Sequence, residues 1–187
     1  MTRTNSLLHQ SEWNQYQGEA WIGLLLSIPG SVVIARQVST PAGGTKPQPG
    51  FPVFYNASAN RYQVPTTAAN IKRICGIVIY NKSDVPDSSG TIEYDDDDVV
   101  DIVIRGGAWV KSGAALEATD LLTWDNGDKD WVKGARPTIT SSTAGDPTDA
   151  ELNQLITDLS YSPIVNYSPT AVAAGDLVAA YLPGGVL

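Results

Sequence analysis

One cysteine and one histidine stand in 187 residues, and each scarcity removes a class of chemistry. Cys75 alone cannot close an intramolecular disulfide, and inside the apolar run Ile74-Cys75-Gly76-Ile77-Val78-Ile79-Tyr80 it reads as small core filler. With His9 as the sole histidine, placed in a polar stretch, one subunit can assemble neither a Ser/His/Asp triad nor a multi-histidine metal site. Positive charge is short as well. Twelve Lys and Arg against 20 Asp and Glu leave a net charge of -8, the reverse of the basic patch by which a protein binds nucleic acid. The longest apolar run near the start, from Ala20 to Ile28, ends at Pro29-Gly30 and falls short of the roughly 20 residues a membrane helix needs. It follows Glu12 and Glu19 without a basic flank, so it does not read as a signal peptide. Synthesis inside the cell is the expectation, and the sequons at Asn56-Ala57-Ser58 and Asn81-Lys82-Ser83 then have no glycosylation to report. The pairs Gly43-Gly44, Gly106-Gly107 and Gly184-Gly185 lack the Lys-Ser/Thr of a phosphate loop and read as turns.

What the chain does have is short β-branched and aromatic runs between turn residues. One unit repeats: Ala115-Leu116-Glu117-Ala118-Thr119-Asp120-Leu121-Leu122 lines up without a gap on Ala171-Val172-Ala173-Ala174-Gly175-Asp176-Leu177-Val178, and Gly50-Phe51-Pro52-Val53-Phe54 has a similar shape. Each is a turn leading into a strand, with no reactive side chain, the pattern of a β-barrel or sandwich of many short strands. Strands are expected near 31–36, 53–55, 61–64, 74–80, 91–94, 99–104, 108–110, 121–124, 131–133, 164–167 and 177–182. The Pro-rich segment from Ser39 to Pro52 cannot lie in a central strand. Asn126-Gly127, between Leu121-Trp124 and Trp131-Lys133, predicts a tight hairpin with positive φ angles at the turn. A single helix is expected at about 148–160. It opens on the capping box Thr148-Asp149-Ala150-Glu151 and sets Leu152, Leu155, Ile156 and Leu159 on one face. It belongs to an excursion at 135–162 before the last strands. Residues 1–27 are polar at first, with Trp13, Tyr16 and Trp21 among Asn, Gln and Ser, and read as an extended arm suited to docking; 28–187 form the β domain.

The acidic run Asp95-Asp96-Asp97-Asp98 lacks the alternating spacing and distal Glu of a calcium loop and reads as a solvated hairpin tip, so no metal site is assigned. Asp125, Asp128 and Asp130 read the same way. Exposed Trp109, Trp124 and Trp131 would suit stacking on sugar rings, which keeps a receptor- or glycan-binding appendage as the alternative function. A hydrolase working through paired aspartates is a third reading that nothing favours. No catalytic and no cofactor-binding residues are assigned.

The order of the motifs from Ile28 to Leu182 resembles the structural cement, or head decoration, proteins of tailed bacteriophages. The likeness runs through Ile28-Pro29-Gly30, Pro49-Gly50-Phe51-Pro52-Val53 and Gly76-Ile77-Val78, then Tyr94 before the Asp-rich turn. It continues in Val100-Asp101-Ile102-Val103 leading to Gly107-Ala108-Trp109-Val110, in Asp120-Leu121-Leu122, and in the closing Ala174-Gly175-Asp176-Leu177-Val178-Ala179-Ala180-Tyr181-Leu182. The polar start, the four aspartates and the 135–162 excursion depart from the family pattern. The resemblance implies an all-β fold, an antiparallel β-barrel or jelly-roll-like sandwich with the one inserted helix. It also implies a virion protein on the outer capsid surface, made in the host cytoplasm. That protein would be a dimer or trimer clamping neighbouring major capsid subunits, with no role on nucleic acid or membrane and no enzymatic activity. Trp13, Tyr16, Trp21, Trp109 and Trp131 are the expected capsid or subunit interface.

Overall fold

The computed structural model describes residues 22–26, 28–81, 86, 91–135 and 164–183. Among these, nine strands and one single-turn helix occur: β1 (Val32–Gln37), β2 (Pro52–Asn56), β3 (Arg61–Gln63), α1 (Ala68–Ile71), β4 (Gly76–Val78), β5 (Val99–Lys111), β6 (Leu121–Asp125), β7 (Asp130–Lys133), β8 (Ile164–Asn166) and β9 (Leu177–Leu182). All ladders are antiparallel, in the order β3-β2-β4-β5-β9-β8-β6-β7, with β1 paired to β5 off this path.

The long strand β5 organises the rest. Its first half pairs with β1 and β4, Val103 lying opposite both Val33 and Ile77, and its second half pairs with β9 from Gly106 opposite Leu182 to Lys111 opposite Leu177. The glycines read from the sequence as a turn between two strands are therefore inside one strand. Between Val32–Arg105 and Val33–Val103 the register shifts, leaving Ile104 as the extra residue of a bulge. Gly106 follows at φ 111°, and a Cβ there would lie 2.3 Å from Ser31 Oγ, so glycine lets β1 and the bent strand approach.

The bend exchanges the faces of β5, because side chains alternate along a strand and one inserted residue inverts the alternation. Before it, Val100 and Ile102 pack with Val38, Val53, Tyr62, Val78 and Tyr94 in a smaller core, while Val103 turns to the larger one. After it, the even-numbered Ala108 and Val110 enter the larger core with Leu122, Trp124, Trp131 and Val178. Each arm of the sheet curls. Val38 bridges Tyr62 and Ser112 bridges Trp131, both parallel, yet among the described residues no continuous ladder closes either arm into a barrel. The expected all-β antiparallel class is present in its open, sandwich-like form.

Two hairpins share one turn. Loops of four residues follow Asn56 and Asp125, whose side-chain oxygens accept from Ser58 N–H and Gly127 N–H, and the positive φ falls on the fourth loop residue, Asn60 or Lys129. The β6–β7 hairpin is thus where the sequence placed it, but the left-handed residue is Lys129 and not the Asn-Gly pair: the Asp125 carboxylate fixes the start of the turn and a longer loop results. The repeated unit also finds a reason. Leu116 and Val172, equivalent in the alignment, exchange both backbone hydrogen bonds (2.9 and 2.8 Å), so the two copies meet about a local two-fold. Their next turns place Thr119 (φ 68°) and Gly175 (φ 89°) at equivalent positive angles.

Residues 91–94 form no ladder. Tyr94 N–H donates to Pro47 O (3.0 Å) and its ring fills the smaller core, so the segment is held by a proline-rich loop that offers no strand edge. The helix α1, capped by Thr67 accepting from Asn70 N–H, occupies a Thr/Ala/Asn stretch between the strands expected at 61–64 and 74–80, where no helix was expected. The helix expected at about 148–160 lies outside the described residues.

Candidate docking surface

From residue 20 to 37 the chain has one charged residue, Arg36, in a protein of net charge -8. This uncharged stretch follows the outer margin of β5. Gly23 N–H donates to Trp109 O (2.6 Å), Trp109 N–H to Leu24 O (2.9 Å) and Leu26 N–H to Gly107 O (2.8 Å), which makes residues 23–26, expected as the end of the arm, an added rung of the sheet. After the Pro29-Gly30 turn, where Ser31 Oγ donates to Ile28 O, β1 continues along the first half of β5.

Satisfying the backbone in this way leaves the side chains outside. Ile22, Leu24, Leu25, Val32 and Val33 are each 37% to 41% exposed, and with Val99, opposite Gln37, they include most of the exposed large hydrophobics among the described residues. Apolar side chains gathered in a strip, with charge kept away, are the composition of an interface centre. Trp109 stands beside this strip, half-buried, at the rung shared with Leu24.

The negative charge is elsewhere and largely occupied. Asp95 pairs with Lys46 (2.7 Å) and Asp97 with Arg61 (2.8 Å), while Asp96 accepts from Thr40 N–H and Asp98 from Asp95 N–H. The hydrogen bond and charge of Asp95 hold the Lys46 ammonium above its ordinary pKa. These contacts stitch the acidic tip onto the Pro-rich loop and β3. Among the described residues no group of three or more His, Cys, Asp or Glu side chains is arranged to hold a metal ion. An open cleft of about 640 Å³ runs past Phe51, Tyr80, Trp124 and Trp131. Its polar wall includes Asp130, buried and ion-paired to Lys111 at 3.0 Å.

Of the residues expected at the interface, Trp109 borders the apolar strip, and Trp13, Tyr16 and Trp21 lie outside the described residues. Trp131 requires a correction. Only 1% exposed, it donates its indole N–H to Gly50 O (2.8 Å) and meets Trp124 edge-on, so it is a core residue and no surface aromatic. Trp124 is buried too, which withdraws two of the three rings thought available for sugar stacking. In alternating strands that face two sheets, an aromatic run does not reveal which residue points inward, and here both indoles do. The strip itself, Ile22 to Val33, was overlooked; its signal was the missing charge, which the sequence reading weighed only against a membrane helix and a signal peptide.

None of the curated proteins compared with the chain matches it. A family model described as structural cement protein (E217 gp24/Pam3 gp6) matches residues 9–182, nearly the whole chain and all of the uncharged stretch. Nearly all-β and matched over almost its full length, the chain belongs to the phage structural cement protein family.

Proposed function

We propose that this protein binds the outer face of the phage head and clamps neighbouring major capsid subunits, stabilising the shell against the pressure of packaged DNA. The observation that supports this best is the exposed apolar strip Ile22–Val33, free of charge in a chain of net charge -8. A ligand that binds the closed lattice and not its open form stabilises the closed form by mass action. An oligomer multiplies the effect, since one engaged copy holds the next at high effective concentration. No catalytic step is part of this role. In this reading the N-terminal arm, residues 1–27 with Trp13, Tyr16 and Trp21, docks in a groove of the capsid subunit, where large aromatic side chains contribute most.

The test is attachment to purified capsids lacking the protein. Burying one leucine stabilises a contact by about 1.5–3 kcal/mol, so Leu24→Asp with Leu25→Asp should weaken attachment at least about tenfold while the melting curve of the free protein stays in place. Deleting residues 1–20 should likewise leave a folded protein that attaches poorly. Full attachment by both variants would end the strip-and-arm account of binding.

A further inference from the structure

The two edges of β1 have different fates. One is paired along its whole length to β5; the other meets β3 at its far end, where Arg36 lies against the Tyr62 phenol and Val38 bridges Tyr62, and among the described residues no ladder covers Val32 to Ala35. Most of its side chains are open as well: Val32, Val33, Ala35, Arg36 and Gln37 are exposed, while Ile34 is half-buried against the smaller core. Every second residue of an antiparallel strand turns its N–H and C=O away from its partner, so such an edge is a template for another strand. Soluble proteins blunt these edges with proline, lysine, short length or a covering loop. Val32 to Gln37 has six residues, no proline and no lysine.

We infer that this edge binds a second copy of the chain, β1 against β1, antiparallel about a two-fold axis at Ile34. Charge selects the occupant. Two copies at -8 each repel, and they can approach most cheaply through the surface that has shed its acids; β1 has one charge, and it is positive. Charge also selects the direction. The start of β1 lies beside Arg105, opposite Val32, and its far end beside the acidic tip, where Gln37 donates to Asp97 O and Val38 N–H to Asp98 O. An antiparallel pair brings the basic end of each copy to the acidic end of the other, twice; a parallel pair would set like against like. A two-fold normal to the sheet joins residues of the same face. With Ile34 opposite its own copy, Val33 faces Ala35 and Val32 faces Arg36, so the two arginines never oppose each other.

The pairing deepens the clamp reading and rests on it for its purpose. A two-fold pair presents two Ile22–Leu26 rungs at a fixed separation, the arrangement a bridge between two capsid subunits requires.

The experiment uses the full-length free protein. Sedimentation should show a dimer, and hydrogen exchange of the β1 amides should slow as protein concentration rises. In Val33→Lys with Ala35→Lys, lysines oppose each other at both ends of the pair, and the dimer dissociation constant should rise about tenfold or more. The substituted positions are exposed, so the melting curve of the monomer should not move. A monomer at all concentrations, or a dimer indifferent to the two lysines, overturns the inference. So does β1 protection that appears only on capsids, which would give the edge to a capsid strand. Should the double variant misfold, the concentration dependence of wild-type exchange decides alone. A dimer that forms as described but fails to attach to capsids leaves the pairing standing and removes the clamp.

Discussion

Replacing Trp131 with alanine should destabilise the fold by about 3–5 kcal/mol, read as a lower denaturant midpoint, because it empties the centre of the larger core. The same change orphans the Gly50 carbonyl that the indole N–H satisfies and removes the edge-on partner of Trp124. A loss under about 1 kcal/mol would return Trp131 to the surface where the sequence reading had it. A second residue-level expectation concerns alkaline pH. Burial holds the Cys75 thiol above its ordinary value of 9.0, and burial first, then the neighbouring thiol, raises the Tyr62 phenol above 10.0. The folded chain therefore keeps protons that the unfolded chain sheds. Stability from this source is intact below pH 9.0 and declines as pH rises past 9.0 and then 10.0. Denaturant unfolding across that range should show the decline, and Cys75→Ala should delay its onset; an unchanged curve would mean that neither group titrates differently on folding.

Among the elements, the paired repeats offer a comparison that the sequence itself supplies. Thr119 and Gly175 hold equivalent left-handed angles, a conformation costing an ordinary residue roughly 1–2 kcal/mol and a β-branched one most. Thr119→Gly should raise stability by about 1 kcal/mol and Gly175→Thr should lower it by a similar amount; equal and null effects at both positions would dissolve the equivalence. The strands on either side were legible because their alternation and β-branched content are local properties. So was the hairpin, through Asp125-Asn126-Gly127-Asp128. What stayed hidden depends on distant partners. Gly106 looks the same in a turn and in a bulge, and the choice is made by β9, which continues the ladder through it. Thr91–Tyr94 has strand composition, but among the described residues no strand pairs with it. The helix α1 is a single turn held by the Thr67 cap, too short for any periodic signal. The docking strip was half legible: Trp109 was named, whereas the leucines beside it look like core until β5 is seen to leave their side chains outside.

For the whole molecule, the separation of charge from the apolar strip determines how attachment responds to ionic strength. Exposed charges are screened beyond about 8 Å at physiological salt, whereas buried apolar contact is not. Attachment to capsids should therefore change little between low and moderate salt, and a steep loss with added salt would shift the contact to the acidic tip and its cations. The strip and the β1 edge lie along one margin of β5, so a single strand separates the surfaces assigned to partners from the larger core. That strand also gives the particle a direction of strength. Because β5 is hydrogen-bonded to β1 and β4 at one end and to β9 at the other, a force drawing the two arms apart along its axis loads the rungs of every ladder at once, in shear. A force across the sheet would open them one at a time, like a zipper, and the protein should yield far sooner when pulled that way.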